Sequence, residues 1–165
     1  MPAKHLPLVR LILWLCTLAA ASAIFSFSAQ DGPVSSAASN RVAEIIVDLI
    51  DADFDALPAE NQASILSFVR KLVRKGAHFT EFAVLGLCIR LLVSTYTRVH
   101  GSSLSWLIGT LYACTDEVHQ LFVSSRAGMW QDVLLDSVGV LAGVTVGYAL
   151  LELWRRRMGR RSEGT

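Results

Sequence analysis

The stretch VLLDSVGVLAGVTVGYALLELW, residues 133–154, decides the fold. A bilayer core of about 30 Å needs about 20 apolar residues in a helix. This stretch supplies them, and Asp136 and Glu152 are its only charges. Arg155, Arg156, Arg157, Arg160 and Arg161 follow at once. A basic cluster directly after an apolar span marks a cytoplasmic flank that meets anionic lipid rather than a nucleic-acid patch, and no nucleic-acid partner is expected. Within the stretch, Gly139, Gly143 and Gly147 fall four apart below Asp132 and Asp136. Small residues at that spacing let two membrane helices approach closely, so the acidic end of this helix faces protein instead of lipid.

Working outward, three more windows reach spanning length: 8–29, 77–95 and 104–123. The whole chain fits this reading. It has 165 residues, 53% apolar and 18% charged, with a mean hydropathy of +0.46. Soluble domains carry roughly 25% charge, spread by period rather than pushed into patches. A soluble enzyme, a disordered tail and a disulfide-built secreted domain are thereby excluded. Cys16, Cys88 and Cys114 all lie in apolar segments and form no C-x-x-C pair, so they read as small apolar residues. The expected architecture is all-α: a single membrane domain over 1–165, an integral bundle of four transmembrane helices.

Two spans are joined by a long link, 30–76. Val42, Ile45, Ile46 and Leu49 repeat at helical spacing, as do Ile65, Phe68, Val69 and Leu72, with an acidic stretch and Pro58 between them. The link therefore reads as two amphipathic helices lying on the outer membrane surface or capping the bundle. The basic tail, 155–165, sets the C-terminus in the cytoplasm, and four spans place Lys4 and Arg10 there too. This is the pattern of a multi-pass protein of the inner, cell membrane. Arg70, Lys71, Arg74 and Lys75 fall outside by this topology, inside a long loop of the kind that the charge rule reads weakly. Ala21-Ser22-Ala23 also fits a signal-peptidase site, and cleavage there would leave three spans in the same orientation. Arg90, near the inner end of the second span, can snorkel to the surface.

The informative residues are the polar ones. An ionisable group within a span costs about 2.5–3.5 kcal/mol on insertion scales, so such groups tend to be paired or functional. Lys71, Arg74, His78 and Glu81 share one helix face, since side chains repeat at about 100° per residue. Tyr112, Asp116, Glu117, His119 and Gln120 close the third span, and Asp132 and Asp136 open the fourth. Under the four-span topology these clusters meet one to two turns below the outer surface. Ser26, Ser28 and Gln30 end the first span at that level, and Arg126 sits in the turn above. A shared depth points to one site.

These same residues carry a family resemblance. Phe25-Ser26-Phe27-Ser28-Ala29-Gln30, Arg74-Lys75-Gly76-Ala77-His78-Phe79-Thr80-Glu81-Phe82, the block Tyr112 to Val123 around Asp116-Glu117-Val118-His119-Gln120, and the block Arg126 to Gly139 with its paired Asp132 and Asp136 resemble the VanZ-like family of small membrane proteins. That family is named for a member associated with low-level resistance to the glycopeptide teicoplanin. The resemblance implies a polytopic envelope protein and no settled reaction.

Three functions fit. An outer-facing polar cleft can bind or modulate a cell-envelope lipid, a lipid-linked wall precursor or a glycopeptide, with consequences for glycopeptide tolerance. Alternatively, His78, Glu81, Asp116, Glu117, His119 and Asp136 can divide acid and base roles in hydrolysing a lipid-linked phosphate. Arg74, Gln120, Arg126, Asp132, Ser28 and Gln30 would then hold the substrate. A metal version uses His78, Glu81, Asp116 and His119 around zinc or a similar ion, although no H-E-x-x-H spacing is present. The third reading makes the polar groups interhelical fasteners.

Overall fold

The computed structural model describes residues 5–29, 32–50, 54–97, 99–123 and 129–162, without the side chains of 32–38, 55 and 160–162. Among them lie five α-helices and no strand: α1 Leu6–Ser28, α2 Gly32–Ile50, α3 Ala59–Val93, α4 Gly101–Gln120 and α5 Trp130–Ser162, with a short 3-10 turn at Phe54–Ala56. Three are long and apolar enough to cross a membrane: Leu6–Ser28, Ala59–Val93 and Trp130–Gly159. The window expected at 104–123 falls in α4, which ends at Gln120. Its last turns hold Asp116, Glu117, His119 and Gln120, and α4 is not among the helices that meet the spanning criterion.

α3 differs most from expectation. The amphipathic segment and the second span are one helix of 35 residues, with no break at Gly76. A Cβ at Gly76 would meet nothing within 4 Å, so this exposed glycine costs the helix only its intrinsic penalty of about 1 kcal/mol. The flanking arginines and lysines are good helix formers. At 1.5 Å per residue α3 is about 52 Å long, longer than the hydrocarbon core of about 30 Å that a spanning helix has to cross. α5 is likewise overlong and carries the basic tail as helix through Ser162.

α3 and α5 share the most extensive interface, and glycine makes it. A Cβ on Gly139 would lie 2.6 Å from the Phe79 carbonyl oxygen, and one on Gly143 only 1.8 Å from that of Ala83. Gly86 of α3 answers from the other side, where a Cβ would come 2.3 Å from the Val140 carbonyl oxygen. Lys75 with Asp132, Phe79 with Gly139 and Arg90 with Gly147 pair in rising order, so the two helices run parallel. α4 runs opposite, and its Gly109 faces the Val140 side chain. α1 runs with α4: Arg10 donates to the Thr95 carbonyl at one end, and Ser28 reaches Asp116 at the other. The helices α1, α3, α4 and α5 thus alternate in direction around a core of Ile24, Phe82, Leu85, Ile89, Ala113, Val140 and Val144.

α2 packs on α3, but not through the face that the periodicity suggests. Ser39, Ala43 and Val47 are buried, whereas Val42, Ile45 and Leu49 are exposed. Ile65, Phe68 and Leu72 on the first half of α3 are exposed as well. The buried side carries Ser39, Ala43 and Val47, and the apolar stripe of Val42, Ile45 and Leu49 is left on the outside.

Candidate functional site

At the end of the bundle where α1 and α4 finish and α5 begins, three helices deliver polar side chains into the interior. Asp116 is 3% exposed and Asp136 is 2% exposed. One ligand atom each from His78 of α3, Asp116 of α4 and Asp136 of α5 lie within 4.8 Å of one another. Local structure explains the convergence. The glycine seam draws α5 against α3, which sets Asp136 one turn above Val140, in the core, and near His78. Gly109 admits α4 to the same seam and so brings Asp116 inward.

Asp116 is held from two sides. The Ser28 hydroxyl donates to its Oδ2 at 2.8 Å, and the Gln120 amide donates to the same oxygen at 2.9 Å. Its Oδ1, like Oδ1 of Asp136, is buried with no hydrogen-bond partner among the described residues. Two buried carboxylates this close repel when both are charged, and each keeps one oxygen without a hydrogen bond among the described residues. Such oxygens need a proton or a cation, because an unpaired buried charge is far costlier than an exposed one. An imidazole nitrogen and carboxylate oxygens suit a divalent ion such as zinc or manganese.

The other expected site residues divide into neighbours and outliers. Glu81 Oε2 lies 4.0 Å from His78 Nδ1, at the rim of the cluster. The His119 ring stacks on Phe25 with centroids 4.2 Å apart, so this imidazole turns toward α1. Of the metal set His78, Glu81, Asp116 and His119, the converging group therefore retains His78 and Asp116 and gains Asp136. Glu117 is buried and accepts the Met129 amide, which ties the end of α4 to the start of α5. Asp132 pairs with Lys75 at 2.8 Å on a partly exposed surface, and Arg74 is exposed. Gln30 and Arg126 lie outside the described residues. Tyr112 donates to the Ala21 carbonyl at 2.7 Å and fixes α1 against α4 beneath the cluster.

The sequence pattern underrates two groups. Trp106 donates to Ser137 Oγ at 3.1 Å, and Thr110 shares that hydroxyl at 2.9 Å. This polar clasp between α4 and α5 lies one residue after Asp136, and Ser137 carries no charge to draw notice. Arg90, expected to snorkel, is instead 3% exposed. Gly147 and Gly101 leave the slot that it fills: a Cβ on Gly147 would lie 3.0 Å from its Cγ, and one on Gly101 would lie 3.1 Å from its Nη1.

Fold and site together define a class: an apolar helical protein of membrane character with a buried acid–imidazole cluster at one end. The chain belongs to the VanZ/LLP1 family, whose model matches residues 12–152. That match runs from α1 into the last turns of α5 and includes every member of the cluster. No curated protein and no solved structure matches the chain.

Proposed function

We propose that the chain is a four-span protein of the cell membrane, with both termini cytoplasmic, that binds the phosphate-bearing head group of an envelope lipid or lipid-linked wall precursor at its extracytoplasmic end. The observation that carries this reading is the meeting of His78, Asp116 and Asp136 within 4.8 Å, with a free carboxylate oxygen on each aspartate. Buried carboxylates alone repel a phosphate. A divalent cation held between them reverses the local charge and joins site to ligand. The alternation of α1, α3, α4 and α5 supports four crossings, with α4 shielded by its neighbours on its polar side. The exposed apolar faces of α2 and early α3 suit the outer membrane surface.

The same donor set supports hydrolysis as a second reading, because a cation with an open position lowers the pKa of bound water and polarises a phosphoryl oxygen. Glu81, beside His78, would then be the proton acceptor. A role in teicoplanin tolerance would follow from either reading, through the supply or accessibility of a wall precursor.

The test uses protein purified in detergent, stripped with chelator and reloaded with zinc or manganese. Wild type is expected to take up one ion per chain and to gain thermal stability from a polyprenyl phosphate only when loaded. His78→Ala and Asp136→Asn should lose both responses. Release of inorganic phosphate from that lipid separates turnover from binding. Wild type that takes up no ion, or variants that respond to the lipid as wild type does, would leave only the fastener role.

A further inference from the structure

The end of the bundle away from the acidic cluster carries a second site, of opposite charge. Arg90 is 3% exposed, and its Nε and Nη1 have no hydrogen-bond partner among the described residues. Its guanidinium rests against the start of α4, where a Cβ on Gly101 would lie 3.1 Å from Nη1. α4 has 20 residues and no side-chain cap on its N-terminus. The positive end of a helix dipole is thus set beside a buried cation, an arrangement that raises the energy of both unless an anion lies between them. The surroundings add more positive charge. Arg155 is an electrostatic neighbour of Arg90, and Arg10 donates to the Thr95 carbonyl at the same end. Among the described residues no carboxylate lies within ion-pair distance of Arg90. Glu152 is engaged by Arg155 and Arg156, and the connection over residues 94–100 contains no Asp or Glu.

Gly101 and Gly147 touch Arg90, and their sequence neighbours Ser102 and Tyr148, with Ser103, Trp106, Val144 and Thr145 among others, line a cavity of about 330 Å³ between the first turn of α4 and α5. Tyr148 links the two features, since it is also an electrostatic neighbour of Arg90. The cavity wall is mainly apolar, with the Ser102 and Ser103 hydroxyls at the helix start and Trp106, Val144 and Tyr148 supplying apolar surface. A lipid offers both kinds of group, a phosphate and an acyl chain.

We propose that this end of the bundle binds an anionic phospholipid, with its phosphate against Arg90 and the first turn of α4 and its acyl chain in the adjoining cavity. The site is independent of the acidic cluster and of the function assigned to it. The phosphate accepts from the guanidinium and the free backbone N–H groups of α4, which supplies the charge-assisted contacts that Arg90 Nε and Nη1 lack among the described residues. Lysine would keep the charge but lose the forked geometry.

The full chain, purified in detergent, is mixed with equal amounts of phosphatidylglycerol and phosphatidylcholine and analysed by native mass spectrometry. Wild type is expected to retain phosphatidylglycerol preferentially. Arg90→Gln should reduce that preference roughly fivefold to tenfold, and Arg90→Lys should reduce it less. Thr145→Phe fills the cavity from its exposed side without touching Arg90, and should weaken lipid retention even if Arg90→Gln fails to fold. Inorganic phosphate at millimolar concentration serves as the competing source. Displacement of the lipid by phosphate alone would assign the site to a free anion and overturn lipid occupancy. Equal retention of the two lipids by wild type, an unchanged preference in folded Arg90→Gln, or undiminished lipid retention by folded Thr145→Phe would overturn the proposal as well.

Discussion

Ser28 Oγ donates to Asp116 Oδ2 at 2.8 Å across 88 positions of sequence. Both residues are buried, so the last turn of α1 is joined to the polar interior rather than standing beside it as a separate anchor. Gln120 donates to the same carboxylate oxygen at 2.9 Å, which completes a three-residue bridge between α1 and α4.

Ser28→Ala is expected to destabilise the protein by about 1–3 kcal/mol, the cost of leaving a buried acceptor with one donor fewer. Thermal unfolding in detergent reads the loss. Combined with Gln120→Ala it should show coupling, because both donors serve one oxygen and the two effects cannot add independently. Strict additivity would mean that the two residues act at separate places.

Asp136→Asn should change stability in opposite directions with and without a divalent ion. In stripped protein at a pH alkaline enough to ionise both carboxylates, neutralising one of two neighbouring buried charges relieves repulsion and desolvation, and stability rises on the order of 1–3 kcal/mol. In protein loaded with zinc or manganese the same change removes a ligand, and stability falls below wild type because the ion no longer binds the folded state tightly. Parallel melting curves in chelator and in metal give the two signs. The same sign in both conditions would remove the cation from the account.

How far the sequence reached depends on which forces act locally. The span over 133–154, its basic flank and the glycine face at Gly139, Gly143 and Gly147 were legible because length, charge and residue size act at fixed spacing. That His78, Asp116 and Asp136 come to one end of the bundle was legible from the order of the apolar helices and the helical rise. Other features depend on partners that no single segment specifies. Gly86 and Gly109 matter because of Val140, which lies on another helix. His119 and Asp136 exchange places as neighbours of His78 because Phe25 of α1 stacks on the His119 ring. The inward face of α2 follows Ser39, Ala43 and Val47 rather than Val42, Ile45 and Leu49, a choice that depends on α3. Arg90 is buried for a similar reason: Gly101 and Gly147 leave the slot that it fills.

Glu117→Ala should speed hydrogen exchange at the Met129 amide, whose acceptor is the Glu117 carboxylate. A net hydrogen bond to a charged group contributes about 1.5–3 kcal/mol, which corresponds to a roughly tenfold or greater increase in local exchange. Amides in the middle of α5 should be unaffected. Equal acceleration along the whole helix would show that Glu117 supports the bundle at large instead of the start of α5.

Gly143 and Gly76 should respond in opposite ways to a larger residue. A Cβ at Gly143 would sit 1.8 Å from the Ala83 carbonyl oxygen, whereas one at Gly76 would meet nothing within 4 Å. At Gly143 the obstacle is backbone, which cannot rotate aside, so Gly143→Ala forces α3 and α5 apart. Overpacking of this kind costs about 1–3 kcal/mol or more. It also displaces Asp136 from His78, so metal uptake should fall together with stability. Gly76→Ala adds only helix propensity and reduced freedom in the unfolded chain, and should stabilise by about 0.5–1 kcal/mol with metal uptake unchanged. Melting temperature and bound metal, measured on both variants, test the seam and its link to the cluster together. Loss of stability at Gly143 with full metal uptake would show that the cluster is positioned without the α3–α5 contact.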